Sequence, residues 1–303
     1  MTNSANLTMP NAIAVGPQHR PRRFAISAFP WSARIGICLF VFFLLLAAFG
    51  PMLSPYDPHV VHYALNGDVA RLLSPSDKHL LGTTYFGRDV MSQLLYGARV
   101  PVIVGLLAAM FITTIGTNIG LIAGYYGGRI GAVLMRITDL AFGIPFLPFA
   151  VVLVALLRPS LVNMVITIVC LMWRTTARVI RAQVLSLKER PFIKAAKVAG
   201  ASNLRIIYVH LLPNVLPMSM LYVTFGIAWA VSAEASLSFL GFGDPNSTSW
   251  GQMLYEAFTS GSIRQAYWWT VPPGVCISLF VISAFMIGRY LERFANPKLA
   301  EES

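Results

Sequence analysis

Six stretches of this chain, 35–56, 100–128, 140–157, 159–173, 206–233 and 265–288, contain no Asp, Glu, Lys or Arg. A helix needs about 20 apolar residues to cross a bilayer, within a range of about 17–25. Four of the runs meet that outright, and 140–157 is short but adequate. The run 159–173 must extend past Arg174 toward Arg178, with those side chains snorkelling to the interface. No soluble fold of this length needs so much apolar surface. Hydrophobic residues make up 56% of the chain and charged residues 12%, against roughly 25% charged in soluble domains. The expected fold is all-α, a polytopic membrane protein with six transmembrane helices.

Arg20, Arg22, Arg23 and Arg34 precede the first run and resemble the basic start of a signal peptide. The tail before the run is too long for one, the run itself is over-long, and Gly50-Pro51 stands where a small-residue cleavage site belongs. An uncleaved first helix is expected. Residues 1–30 then read as a cytoplasmic tail, 31–95 as the first helix with an extracytoplasmic segment, and 96–303 as the core. With the N-terminus inside, 17 Lys and Arg fall on inner segments and 6 on outer ones. That is the bias of the positive-inside rule, and it puts both termini in the cytoplasm. The net charge of +11 therefore reports topology. No basic-aromatic interleaving outside the membrane supports a nucleic-acid partner.

Most other candidates have bland readings. Cys38, Cys170 and Cys276 lie in apolar runs without metal-ligand spacing and read as small packing residues. His59 and His62 have helical ligand spacing, but Asp57-Pro58 argues for a solvated loop. Gly116, Gly120, Gly124 and Gly128 share one helix face and allow another backbone close approach, either within the chain or on a second membrane subunit. Asp139, where the third helix begins, can pair with Arg136 along the helix. Glu234, near the outer end of the fifth helix, has no local basic partner and invites a functional reading, unless it is hydrated at the interface. Arg174, Arg178 and Arg181 lie on one helix face and read as an inner-end anchor. So few buried charges argue against a proton relay.

The polar stretch 182–212 between two apolar runs is harder to explain as a plain connector. Within it, 189–200 reads as a short amphipathic helix. Pro191 suits its first turn, Phe192, Ile193, Ala195 and Ala196 form a small apolar face, and Gly200 suits its C-terminal cap. Adjacent alanines leave room for a helix to lie in another protein's groove; an interfacial helix on membrane lipid is the alternative. The chain has no GxxxxGK[ST], GxSxG, HExxH or EF-hand pattern, so energy for any driven transport must enter through another subunit.

Lys194-Ala195-Ala196, Gly200 and His210-x-Leu212-Pro213 keep every spacing of the EAA motif of ABC-importer membrane subunits. Lys194 replaces its acidic residue and His210 its aliphatic one. HLLGTTYFGRD (79–89), YGAR (96–99), GYYGG (124–128), LMRITD (134–139), EASLSFLGFG (234–243) and SWGQML (249–254) extend the match in order across most of 35–290. The chain thus resembles the C-type permease of the dipeptide/oligopeptide/nickel import family, with a type I ABC-importer, MetI-like core. The resemblance implies a pore-forming subunit that is not an enzyme and binds no cofactor, ATP and Mg residing on partner subunits. Implied partners are a second permease subunit, two ABC ATPase subunits and an extracytoplasmic solute-binding protein. It also implies a bacterial or archaeal plasma membrane, with alternating access driven through the loop. The implied coupling residues are Phe192, Lys194, Ala195, Ala196, Gly200, Ala201, His210 and Pro213. Peptides are the expected cargo, and nickel chelates, glutathione or another small solute the alternative. A membrane enzyme is disfavoured because no catalytic constellation lies at one membrane depth. A self-sufficient carrier is disfavoured by the lack of an internal repeat.

Overall fold

A computed structural model describes residues 30–64 and 66–295. The expected N-terminal tail, with Arg20, Arg22 and Arg23, lies outside the described residues except for Pro30, as does Lys298. The described secondary structure is helical, with only two isolated β-bridges, Tyr63 to Val69 and Thr83 to Asp89. Helices α1 (Trp31–Leu53), α3 (Arg99–Tyr126), α6 (Leu161–Leu187), α9 (Leu212–Leu237) and α11 (Tyr267–Ala295) form the long apolar framework. Short helices α2 (Val90–Tyr96) and α10 (Trp250–Thr259) lie at one end, and α7 (Pro191–Val198) and α8 (Asn203–Arg205) at the other.

Among the described residues five helices are long and apolar enough to cross a membrane, and six if one bent pair counts as a single span. That pair, α4 (Gly128–Gly143) and α5 (Phe146–Leu157), turns by 91° at its break. The sequence reading has one helix running straight through 140–157, and the break corrects it. Pro145 has no N–H and disfavours the helical region for the residue before it. Ile144 is accordingly extended, at φ −87° and ψ 120°. Asp139 therefore sits near the end of one limb and does not begin a span. The sixth helix α6 is, as expected, longer than its charge-free run and passes through Arg174 and Arg178.

Close approach of α3 and α6 organises the middle of the bundle. A Cβ on Gly116 would stand 2.6 Å from the Cβ of Thr176, one on Gly120 2.7 Å from that of Ile180, and one on Gly124 2.7 Å from that of Val184. The glycine stripe is thus filled by a helix of the same chain. Gly128 is not part of this contact: with Gly127 it has positive φ, +60° and +48° in chain order, and together they turn the chain from α3 into α4. Around the opposite edge, Phe43, Trp250, Trp269 and Phe280 anchor a fully buried aromatic core shared by α1, α10 and α11.

The segment between α1 and α2 is a loop tied by turns. Its GRD motif has a local physical role. Asp89 caps α2, accepting from Ser92 N–H at 2.8 Å and Ser92 Oγ at 2.7 Å, while its other oxygen meets His79 Nδ1 at 2.8 Å. His62 packs edge-on against Tyr56 and His79, with centroids 4.6 and 4.8 Å apart. Its ring pKa is lowered, first by desolvation and then by His79. Among the described residues no group of three or more His, Cys, Asp or Glu is placed to hold a metal.

Candidate functional site

The stretch between α6 and α9 folds into an exposed bracket of two short helices and a π-helical turn. Pro191 opens α7 after an extended Arg190. Two residues later Ile193 is fully buried, among Leu121, Ile180, Val184, Ile206, Ile207, Leu211 and Val215. The sequence reading put Ile193 on one apolar face with Phe192 and the alanines. The structure divides that face. Ile193 plugs the helix into the spans, while Phe192, Ala195 and Val198 point away and Ala196 is half-buried. Val198 is 91% exposed and Leu204 65%. Both are large apolar side chains left exposed beside a tightly buried anchor.

The spacing from Ala196 to Ala201 has a mechanical reason. Ala201 N–H donates to Ala196 O at 3.0 Å and Gly200 N–H to Lys197 O at 3.0 Å. These two bonds make a Schellman cap, whose penultimate residue must be left-handed. Gly200 has φ +79°. Ser202 then caps the next helix, its Oγ accepting from Arg205 N–H at 3.3 Å. The two short helices so meet at a fixed angle.

Downstream, 206–211 is a π-helical segment that runs straight into α9. Pro213 has no N–H to offer the preceding turn, and the wider turn absorbs that deficit. Half-buried His210 lies in this segment, and its carbonyl accepts from Asn214 Nδ2 at 2.6 Å. Lys194 is exposed and stands 3.5 Å from Glu189.

Side chains distant in sequence tie the bracket to α3. Tyr125 OH donates to Asn203 Oδ1 at 2.7 Å, Lys197 lies 5.3 Å from the Tyr125 ring centroid, and Lys188 Nζ donates to Gly124 O at 3.1 Å. Sequence reasoning did not find Tyr125, Lys188 or Asn203 for this role. The GYYGG stretch was visible, but pairing across 78 residues leaves no local pattern.

The remaining candidates do not join this site. Asp139 pairs with Arg178 on α6 at 2.7 Å, not with Arg136 on its own helix. Glu234 is fully buried near the end of α9. Its Oε1 accepts from Ser238 Oγ at 2.8 Å.

Comparison with known proteins matches this architecture along nearly its whole length. Residues 116–297 match the family model described as binding-protein-dependent transport system inner membrane component. Residues 31–75 match the N-terminal TM domain of oligopeptide transport permease C. A dipeptide transport system permease protein from Alkalihalophilus pseudofirmus is 38% identical, covering 88% of this chain and 86% of its own. An oligopeptide transport system permease protein from Bacillus subtilis is 32% identical over 88% of this chain and 86% of its own. A solved chain of the MetNI methionine ABC transporter, in inward-facing form, shares the fold with a TM-score of 0.53. It is 20% identical and covers 68% of this chain and 96% of that one. With a family match across the glycine stripe, the exposed bracket and the last spans, this chain belongs to the binding-protein-dependent transport system inner membrane components, as a multi-pass, non-catalytic permease subunit of an ABC importer.

Proposed function

We propose that this chain is the C-type permease of a peptide importer, and that the bracket 182–212 receives its ATPase subunits. The carrying observation is the collinear similarity, over about nine-tenths of the chain, to permeases named for dipeptide and oligopeptide transport. In this reading the chain pairs with a second permease in a bacterial or archaeal plasma membrane. Two ATPases bind ATP and Mg on the cytoplasmic side, and a solute-binding protein delivers peptide from the other. ATP closure pushes Phe192, Ala195 and Val198, and the anchored Ile193 carries the push into α3, α6 and α9. Such a lever biases a helix bundle between two packings. The test is uptake by the reconstituted assembly with its binding protein. Labelled di- and tripeptides are expected to enter in an ATP-dependent way. Uptake of a nickel chelate or glutathione with none of peptide would reject the assignment of cargo.

The orientation is testable by itself. In a background lacking Cys38, Cys170 and Cys276, a cysteine at Ser76 is expected to react with an impermeant reagent from outside, and one at Ser202 is not. The reverse pattern would place the bracket on the wrong side for an ATPase.

Lys194, with Arg190 and Lys197 nearby, makes the free surface of α7 basic, countered in part by Glu189. An acidic or carbonyl-rich groove on the ATPase would complement it. Exposed charge pairs contribute only ~0.2–1 kcal/mol each and mainly tune encounter. Lys194→Glu is therefore expected to weaken assembly a few-fold in low salt, with the difference shrinking at high salt. Equal assembly of both proteins at low ionic strength would show that Lys194 faces only water or lipid head groups.

A further inference from the structure

Arg174 lies 13 residues after Leu161, about 20 Å along α6, beside the bent pair α4 and α5. Its guanidinium donates to Ala141 O, and to Ile144 O at 3.5 Å, and stands 4.9 Å from the Phe142 ring centroid. One turn later Arg178 donates to Asp139 Oδ1 at 2.7 Å and covers the same ring from 4.0 Å. These partners cluster at the 91° break between α4 and α5. A helix end leaves its last carbonyls without intrahelical donors, and lipid supplies none. A cation there also meets the negative end of the helix dipole. The break is therefore completed by α6 and not by its own residues.

The connections on either side give this arrangement a direction. In one direction α6 continues through Lys188 and Arg190 into α7, and Ile180 and Val184 hold the Ile193 plug. Beyond the break, α5 has 12 residues, about 18 Å of helix, too short to cross alone. Asn163 Nδ2 joins its end to the start of α6, donating to Leu157 O at 2.7 Å and Arg158 O at 3.0 Å. A shift of α6 that left α4 behind would strand both the Asp139 carboxylate and the freed carbonyls. The Arg178 and Asp139 side chains are 52% and 58% exposed in the subunit, so the cost of leaving them unpaired is set by the lipid or protein that covers this face.

We infer that Arg174 and Arg178 are positioning residues that transmit movement of the α7 bracket to the bent span, so that the break at 143–145 works as a driven joint. The inference rests on the proposed docking of ATPases at the bracket. Its test uses the purified complex with both ATPases, reconstituted without the native cysteines. Spin labels go on Leu140 of α4 and Val41 of α1, both exposed. Trapping the ATP-bound state is expected to shift the label distance in the parent. In Arg174→Gln the shift is expected to vanish and uptake per ATP hydrolysed to fall at least fivefold, with ATPase activity within twofold of the parent. Arg178→Asp is expected to behave alike, and adding Asp139→Arg to restore at least half of the lost shift, which a misfolded variant would not do. A full shift in Arg174→Gln, no shift in the parent, or no recovery in the charge-swapped pair overturns the inference. A parent that shifts but takes up no peptide leaves the joint standing and defeats only the assigned cargo.

Discussion

Gly200→Pro is expected to abolish solute uptake by the assembled importer while leaving membrane insertion intact. Gly200 sits at φ +79°, whereas proline is fixed near −65° and lacks the N–H that now reaches Lys197 O. The Schellman cap then fails, and α7 leaves the bundle at another angle although Ile193 can keep its seat. Gly200→Ala keeps the N–H and suffers only the left-handed penalty of roughly 1–2 kcal/mol, so a milder defect is expected. Ala196→Trp attacks the same device from its face, adding a large ring at a half-buried helix position. Uptake per ATP should drop at least tenfold in Gly200→Pro and in Ala196→Trp. The measurement is solute-stimulated ATPase activity beside uptake in proteoliposomes. Normal stimulated activity together with normal uptake in Ala196→Trp would sink the coupling role of the bracket.

Gly120→Leu is expected to damage the subunit itself. A Cβ there meets the Ile180 Cβ at 2.7 Å and the Ala177 carbonyl at 2.8 Å. One of these is backbone and cannot swing aside, so α3 and α6 must separate. Overpacking a well-filled interface costs about 1–3 kcal/mol, and more where the backbone has to move. The thermal midpoint of the detergent-solubilised subunit should fall by several degrees, and the yield of assembled complex should fall with it. Gly143→Ala is the control, since a Cβ there meets nothing within 4 Å. Equal midpoints for Gly120→Leu and the parent would mean that the stripe does not set the α3–α6 distance.

Much of this protein is legible in one dimension because a bilayer imposes long uninterrupted apolar runs. The long framework helices, the position of the exposed bracket, Pro191 at its start and Gly200 at its end all follow from patterns within a few residues. Such patterns report backbone rules, which act locally: proline removes a donor, and a left-handed turn favours glycine. The same rules placed Gly116, Gly120 and Gly124 on one face of α3, though not the helix that fills it. Only the packed chain decided that α6 does so and that Gly128 lies outside that contact. It alone turned Ile193 inward and Val198 outward on one short helix, and it buried Glu234. It also bent the third span at Pro145, where the sequence offered one continuous apolar run. Asp139 shows the limit most plainly. Its helix offers Arg136 three residues away, yet it pairs with Arg178, 39 residues on. Local spacing names the partners a side chain can reach along its own helix. The choice among them belongs to tertiary packing, because a charge or carbonyl in an apolar surround pairs with whichever group the fold carries to it.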